Sequence, residues 1–103
     1  MRVHKRIIAD TFLAMRKAGE AELLRAAAVE IKFRRAASGM SQEELAHRAN
    51  LHRTFIGRIE TGRTQLSMTG LFRVAAALQV PIAELMGAID RRRGIEQSWK
   101  PEG

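Results

Sequence analysis

The 103-residue sequence contains no cysteine and only two prolines. Without cysteine, disulfides, thiolate catalysis and zinc clusters built on Cys ligands are excluded, and the composition suits a reducing, cytoplasmic compartment. No stretch approaches the roughly 18 uninterrupted apolar residues that a membrane span needs, so no membrane partner is expected. Glycine is sparse too, at eight residues. β-Branched residues are outnumbered by Ala, Leu, Arg and Glu, a mixture that favours helices. No internal repeat, low-complexity tract or convincing period-two strand is present.

Signs of catalysis are equally scarce. His4, His47 and His52 lack metal-ligand spacing, and no Ser–His–acid arrangement or Gly-rich phosphate loop can be assembled. A non-enzymatic chain needing no cofactor or metal is therefore expected. The opening segment, MRVHKRIIADTFLAMRKAG, is basic and amphipathic like an organelle transit peptide. It has no Ser, however, and carries Asp10, which argues against that reading.

What is present fits one soluble domain with a single modest core: 46% hydrophobic and 28% charged residues. The formal net charge is +7. It is unevenly spread, with +3 in residues 1–20, +2 in 21–40, −1 in 67–90 and +2 in 91–103. Such a field attracts polyanions without saying which.

Hydrophobic spacing and end signals divide the chain into helices. Residues 5–18 form a possible first one, with Ile8, Phe12 and Met15 on one face, ended or interrupted by Gly19. Residues 20–38 form the clearest long helix, with Leu24, Ala27, Ala28 and Ile31 inward and Gly39 closing it in the left-handed region. Ser41-Gln42-Glu43-Glu44 is a capping box, with Met40 and Leu45 as its hydrophobic staple. The helix it starts should end near Ala49, because Asn50 tolerates a left-handed turn. A short helix follows from Arg53 to Glu60. Another runs from Met68 to about Leu78, capped by Ser67 and stapled by Leu66 and Leu71. The last runs from Ile82 to about Asp90, with Ile82, Leu85, Met86 and Ile89 inward. Residues 91–103 read as a flexible basic tail.

Two short helices separated by Asn50-Leu51-His52 fit a helix-turn-helix, whose second helix enters the DNA major groove. On a helical wheel Ile56 and Ile59 fall on one side of that second helix. Arg53, Thr54, Phe55 and Arg58 fall on the other, around Gly57. Arg53 and Arg58 can donate bidentately to a guanine edge, and Thr54 can hydrogen-bond a base or phosphate. Phe55 suits either a thymine methyl or packing on its own domain. Gly57 lets DNA approach closely.

At this length and order the run MSQEELAHRANLHRTFIGRIETGRTQLSMTGLFRVAAALQVPIAELM resembles the DNA-binding domain of the XRE family, the Cro and phage-repressor type. The likeness extends from about Leu24 to Met86. It implies an all-α, five-helix, lambda-repressor-like domain, usually a homodimer on a partly palindromic operator in double-stranded DNA. By the same resemblance Gln42 binds a phosphate, Arg53, Thr54 and Arg58 read bases, and Arg63 holds the backbone. Arg35 and Glu60 stand where the family often has an ion pair joining its first and third helices. Three departures stand out. His52 replaces the usual Ser or Thr cap and is either a phosphate contact or an ordinary surface residue. Gln79 replaces a helix-ending Gly, and Asn50 replaces a turn Gly.

The expected organisation is thus an N-terminal helical extension at 1–20, a DNA-binding domain at 21–90 and a tail at 91–103. The extension serves the domain's own core, a second subunit or a protein partner. Arg91, Arg92 and Arg93 either add phosphate contacts or remain solvated, and Trp99 is either an anchor or exposed. The expected function is sequence-specific regulation of transcription. The alternative is an antitoxin that binds a protein toxin and regulates its own operon.

Overall fold

A 36-residue helix, α1 (Arg2–Ala37), opens the fold in the computed structural model, which describes residues 2–96. The expected break at Gly19 is absent. A lone glycine costs a helix about 1 kcal/mol, and the Ala-, Leu- and Glu-rich sequence on either side absorbs that cost. At 1.5 Å per residue α1 is about 54 Å long, which matches the molecule's longest dimension of 55 Å. Among its described side chains, Ala9, Asp10, Thr11, Leu13, Ala14 and Arg16 are all exposed, and burial begins at Ala26. The side chains of Ile8, Phe12 and Met15, which formed the expected apolar stripe, lie outside the described residues.

Four further helices follow, α2 (Gln42–Ala49), α3 (Arg53–Glu60), α4 (Met68–Ala77) and α5 (Ile82–Glu96); α3 and α5 pack against α1, α2 packs on α3 and α4, and α4 packs on α5. The largest fully buried side chains are Ile31, Leu45, Ile56, Ile59, Val74 and Leu85, drawn from every helix. Ala26, Ala27, Ala46 and Ala75 fill the spaces between them and allow close helix approach. Leu24 is half-buried, and Met86 is 41% exposed rather than inward. Leu85 and Ile89 of the same helix are buried as expected, and Ala88 is buried as well.

Helix ends follow the sequence signals closely. Gly39, Asn50 and Gly62 adopt positive φ, and so does Gln79, with φ of 59°. Ser41 Oγ accepts from the Glu44 amide at 3.0 Å, and Ser67 Oγ accepts from the Gly70 amide at 2.9 Å. Only this half of the capping box is made in the expected way. The Glu44 carboxylate accepts instead from Arg48 Nη2, one turn on, at 2.9 Å.

The expected tail is the main correction. α5 continues past Asp90 to Glu96, so Arg91, Arg92 and Arg93 are helical. Arg92 Nε donates to Glu30 Oε1 at 2.5 Å, and Arg93 Nη2 donates to Asp90 at 2.6 Å. Glu30 also accepts from Arg34 Nε at 2.5 Å. Burial pushes the Glu30 carboxyl up, but the bonds from Arg92 and Arg34 together outweigh it and hold the group below its ordinary value. This clasp ties α5 to α1. Residues 97–103, with Trp99, lie outside the described residues.

Among the described residues no single helix is long and apolar enough to cross a membrane. α4 and the Ile82–Gly94 part of α5 have the combined length, but they are bent by 104° and bury Val74, Leu85 and Ile89 in the core.

Candidate nucleic-acid interface

The α2–α3 pair is held rigidly by its own turn. Asn50 adopts φ 57° and ψ 46°, and the Leu51 amide donates to the Ala46 carbonyl at 2.8 Å. α3 begins on an unexpected cap. His52 Nδ1 accepts from the Thr54 amide at 3.0 Å, the role Ser or Thr would otherwise fill. An accepting Nδ1 places the ring proton on Nε2, which stays available as a donor. The Thr61 hydroxyl closes the other end, donating to the carbonyls of Gly57 and Arg58 at 3.1 Å.

The helical wheel of α3 is reproduced. Ile56 and Ile59 are 0% and 1% exposed, whereas Arg53, Thr54 and Arg58 are exposed. Phe55 is half-buried and packs against the core, near Gly70 of α4. Of the four residues expected to meet bases, it is the one turned partly inward.

Beneath this face lies a charged network. Arg35 on α1 donates to Glu60 through Nε at 2.6 Å and Nη2 at 3.0 Å, the planar bidentate arrangement suited to a carboxylate. Its Nη1 donates to the Met40 carbonyl at 2.7 Å. The Glu60 side chain is 2% exposed, and its hydrogen bond holds the Arg35 guanidinium above its ordinary value. The ion pair implied by the family resemblance is therefore present. Sequence reasoning missed a third partner: Gln42 Nε2 also donates to Glu60, at 3.0 Å.

Gln42, His52, Arg53, Thr54, Gly57, Arg58, Thr61 and Arg63 together line an open groove of about 510 Å³. No acid contributes to the lining, because Glu60 is buried behind it and matched by Arg35. Three guanidiniums, a histidine and small polar groups thus border a concave, acid-free surface. Among the described residues no group of three or more His, Asp or Glu side chains is placed to hold a metal ion.

A rigid two-helix unit with a core-anchored second helix and a cationic outer face defines a helix-turn-helix DNA-binding protein. Residues 31–85 match the helix-turn-helix family, and the chain belongs to it. The XRE-type resemblance stands. The chain is 38% identical over 55 residues to control protein C.BamHI of Bacillus amyloliquefaciens, covering 53% of this chain and 68% of that protein. It is 32% identical over 60 residues to control protein C.MunI of a Mycoplasma species, covering 58% and 81%. Among solved structures, the restriction-modification controller protein C.Esp1396I, a tetramer in complex with its natural 35 base-pair operator, superposes with a TM-score of 0.64. That match has 31% identity and covers 69% of this chain and 93% of the controller chain. The same controller has been solved with single replacements at three consecutive positions, an Arg, a Thr and a Tyr.

Proposed function

We propose that this chain is a transcriptional regulator that occupies a short, partly palindromic operator as a homodimer, each copy laying α3 in the major groove. The carrying observation is the acid-free outer face of α3, with Arg53, Thr54 and Arg58 exposed on a helix fixed from behind by Ile56 and Ile59. Arg53 and Arg58 read guanine edges through paired donors, and Thr54 meets a base or a neighbouring phosphate. Phe55 adds apolar contact to a thymine methyl through the part of its ring left exposed. Arg53-Thr54-Phe55 corresponds in kind and order to the Arg, Thr and Tyr replaced in the operator-binding controller, which supports this assignment.

Phosphates are held around the rim of the same groove. Arg63 and His52 Nε2 supply donors, and the orphan amides at the start of α2 add the positive end of a helix. The role is one of binding rather than catalysis, it needs no cofactor, and it belongs in the cytoplasm. Residues 21–90 carry DNA binding, and residues 1–20 carry the surface for the second copy. An apolar cleft of about 300 Å³, between Leu23 and Leu24 of α1 and Met86 and Ile89 of α5, continues that surface into the domain.

Selection of bound sites from random duplex DNA at near-physiological salt tests the whole reading. The expected product has two related half-sites about 34 Å apart or a multiple of it. On that site Arg53→Ala and Arg58→Ala each cost about 1–3 kcal/mol and relax the preference at one base pair. Enrichment of no sequence, or binding indifferent to both changes, would overturn the assignment, and a lone half-site would overturn the dimer.

A further inference from the structure

We infer that Gln42 reads a base rather than a phosphate: its side-chain oxygen, turned towards bare Gly57, accepts a hydrogen bond from an exocyclic amino group in the major groove. This rests on the proposed placement of α3 on DNA.

A carboxamide has one donating end and one accepting end. Which end of Gln42 faces inward is dictated by Glu60, an ion-paired carboxylate that offers oxygen acceptors and no proton. Arg35 and Gln42 Nε2 both donate to it. The opposite orientation would set two oxygens against each other with nothing between them. The acceptor, Oε1, is therefore forced away from Glu60 and towards Gly57, earlier on α3. A methyl group built on Gly57 would lie 3.9 Å from Oε1. No hydrogen bond within the described chain reaches Oε1.

The groove therefore contains an unpaired carboxamide acceptor beside three guanidiniums. Phosphate oxygens bring no proton to such an oxygen. Adenine N6 and cytosine N4 do, and every base pair shows one of them in the major groove. The Nε2 proton not used by Glu60 is free to donate to an adjacent purine N7, the second half of the usual amide–adenine pairing. Gly57 also acquires a reason. Any longer side chain there would stand between Gln42 and the bases, so a residue that weakens helices occupies the middle of α3. Because Gln42 is bonded to Glu60 at the end of α3, its position relative to Arg53 and Arg58 is fixed before DNA arrives.

The test uses the full-length chain and the duplex recovered by site selection. Binding is measured for the wild type and Gln42→Leu against duplexes carrying each alternative base pair. One base pair per half-site is expected to lose its discrimination in the variant, with the ranking elsewhere intact. Replacing that base by an analogue lacking the exocyclic amino group should weaken the wild type roughly 5- to 100-fold and leave the variant unchanged. Gln42→Met, closer in shape, provides the same comparison should Gln42→Leu melt at a lower temperature. A uniform loss across all sequences would assign Gln42 to a phosphate and overturn the inference. So would lowered melting with discrimination unchanged in both variants, which would make Gln42 a support for Glu60. A wild type that selects no site would instead defeat the proposed function itself.

Discussion

Replacing Glu60 by alanine tests how much of this small domain hangs on one buried charge. Glu60 is 2% exposed and the Arg35 side chain 14%, so neither charge is appreciably screened by water. Removing the acid leaves the Arg35 guanidinium enclosed, with the Met40 carbonyl at 2.7 Å as its remaining acceptor. It also deprives Gln42 Nε2 of its partner. Breaking a buried pair from one side costs about 3–5 kcal/mol, mainly through the stranded charge. Against a total of about 5–15 kcal/mol for a domain of this size, that is a large share. At about 4–8 °C per kcal/mol, the melting temperature should fall on the order of 15–30 °C. Thermal and urea denaturation followed by far-UV circular dichroism measure this directly. The double replacement Arg35→Met with Glu60→Leu removes both charges and should recover most of the loss, because packed apolar groups substitute well for a buried pair. A single-mutant cost below about 1 kcal/mol, the figure for a surface pair, would refute the reasoning. A double mutant no better than the single would refute it as well.

Two further outcomes concern stability alone. The Glu30 carboxyl titrates below its ordinary value when folded, so its clasp with Arg34 and Arg92 contributes stability that is fully present above the unfolded value near 4.5 and is lost as pH falls through the folded value. Melting temperatures measured from neutral pH into acid should fall less steeply below that point for Glu30→Gln than for the wild type; parallel curves would contradict the assignment. Gln79 sits at φ 59°, where a side chain costs roughly 1–2 kcal/mol that glycine avoids. Gln79→Gly should therefore stabilise the domain by about 0.5–1 kcal/mol after glycine's larger unfolded-state entropy is allowed for, and an unchanged or lowered urea midpoint would count against this.

The recognition unit was legible in the sequence because its boundaries are set by neighbours. Ser41 needs only Glu44 to start α2, and Asn50 needs only its own tolerance of the left-handed region to end it. The inward and outward faces of α3 followed from spacing alone. The misses share a different physical origin. Glu30 and Arg92 are 62 residues apart, so nothing local announces that Arg91–Arg93 extend a helix rather than trail from it. Gly19 was over-read as a break, since its cost is small beside the helix preference of its neighbours. At His52 the sequence showed a missing hydroxyl, but whether an imidazole nitrogen takes its place depends on the rotamer. Position alone brings Gln42 to the groove beside α3. Which end of its amide it shows depends on Glu60, 18 residues away.

The unbroken α1 has a consequence for motion. Its backbone hydrogen bonds are alike along its length, but the side chains that shield them are not. From Ala26 onward the helix lies against the core, and its amides open only when the domain does. Over residues 9–16 every described side chain is exposed, so none of them shields those hydrogen bonds, which can open locally without the core opening. A single helix thus spans two exchange regimes. A second chain lying along its outer half would slow hydrogen exchange there towards that of the core, so protection of those amides reports association without any probe being attached.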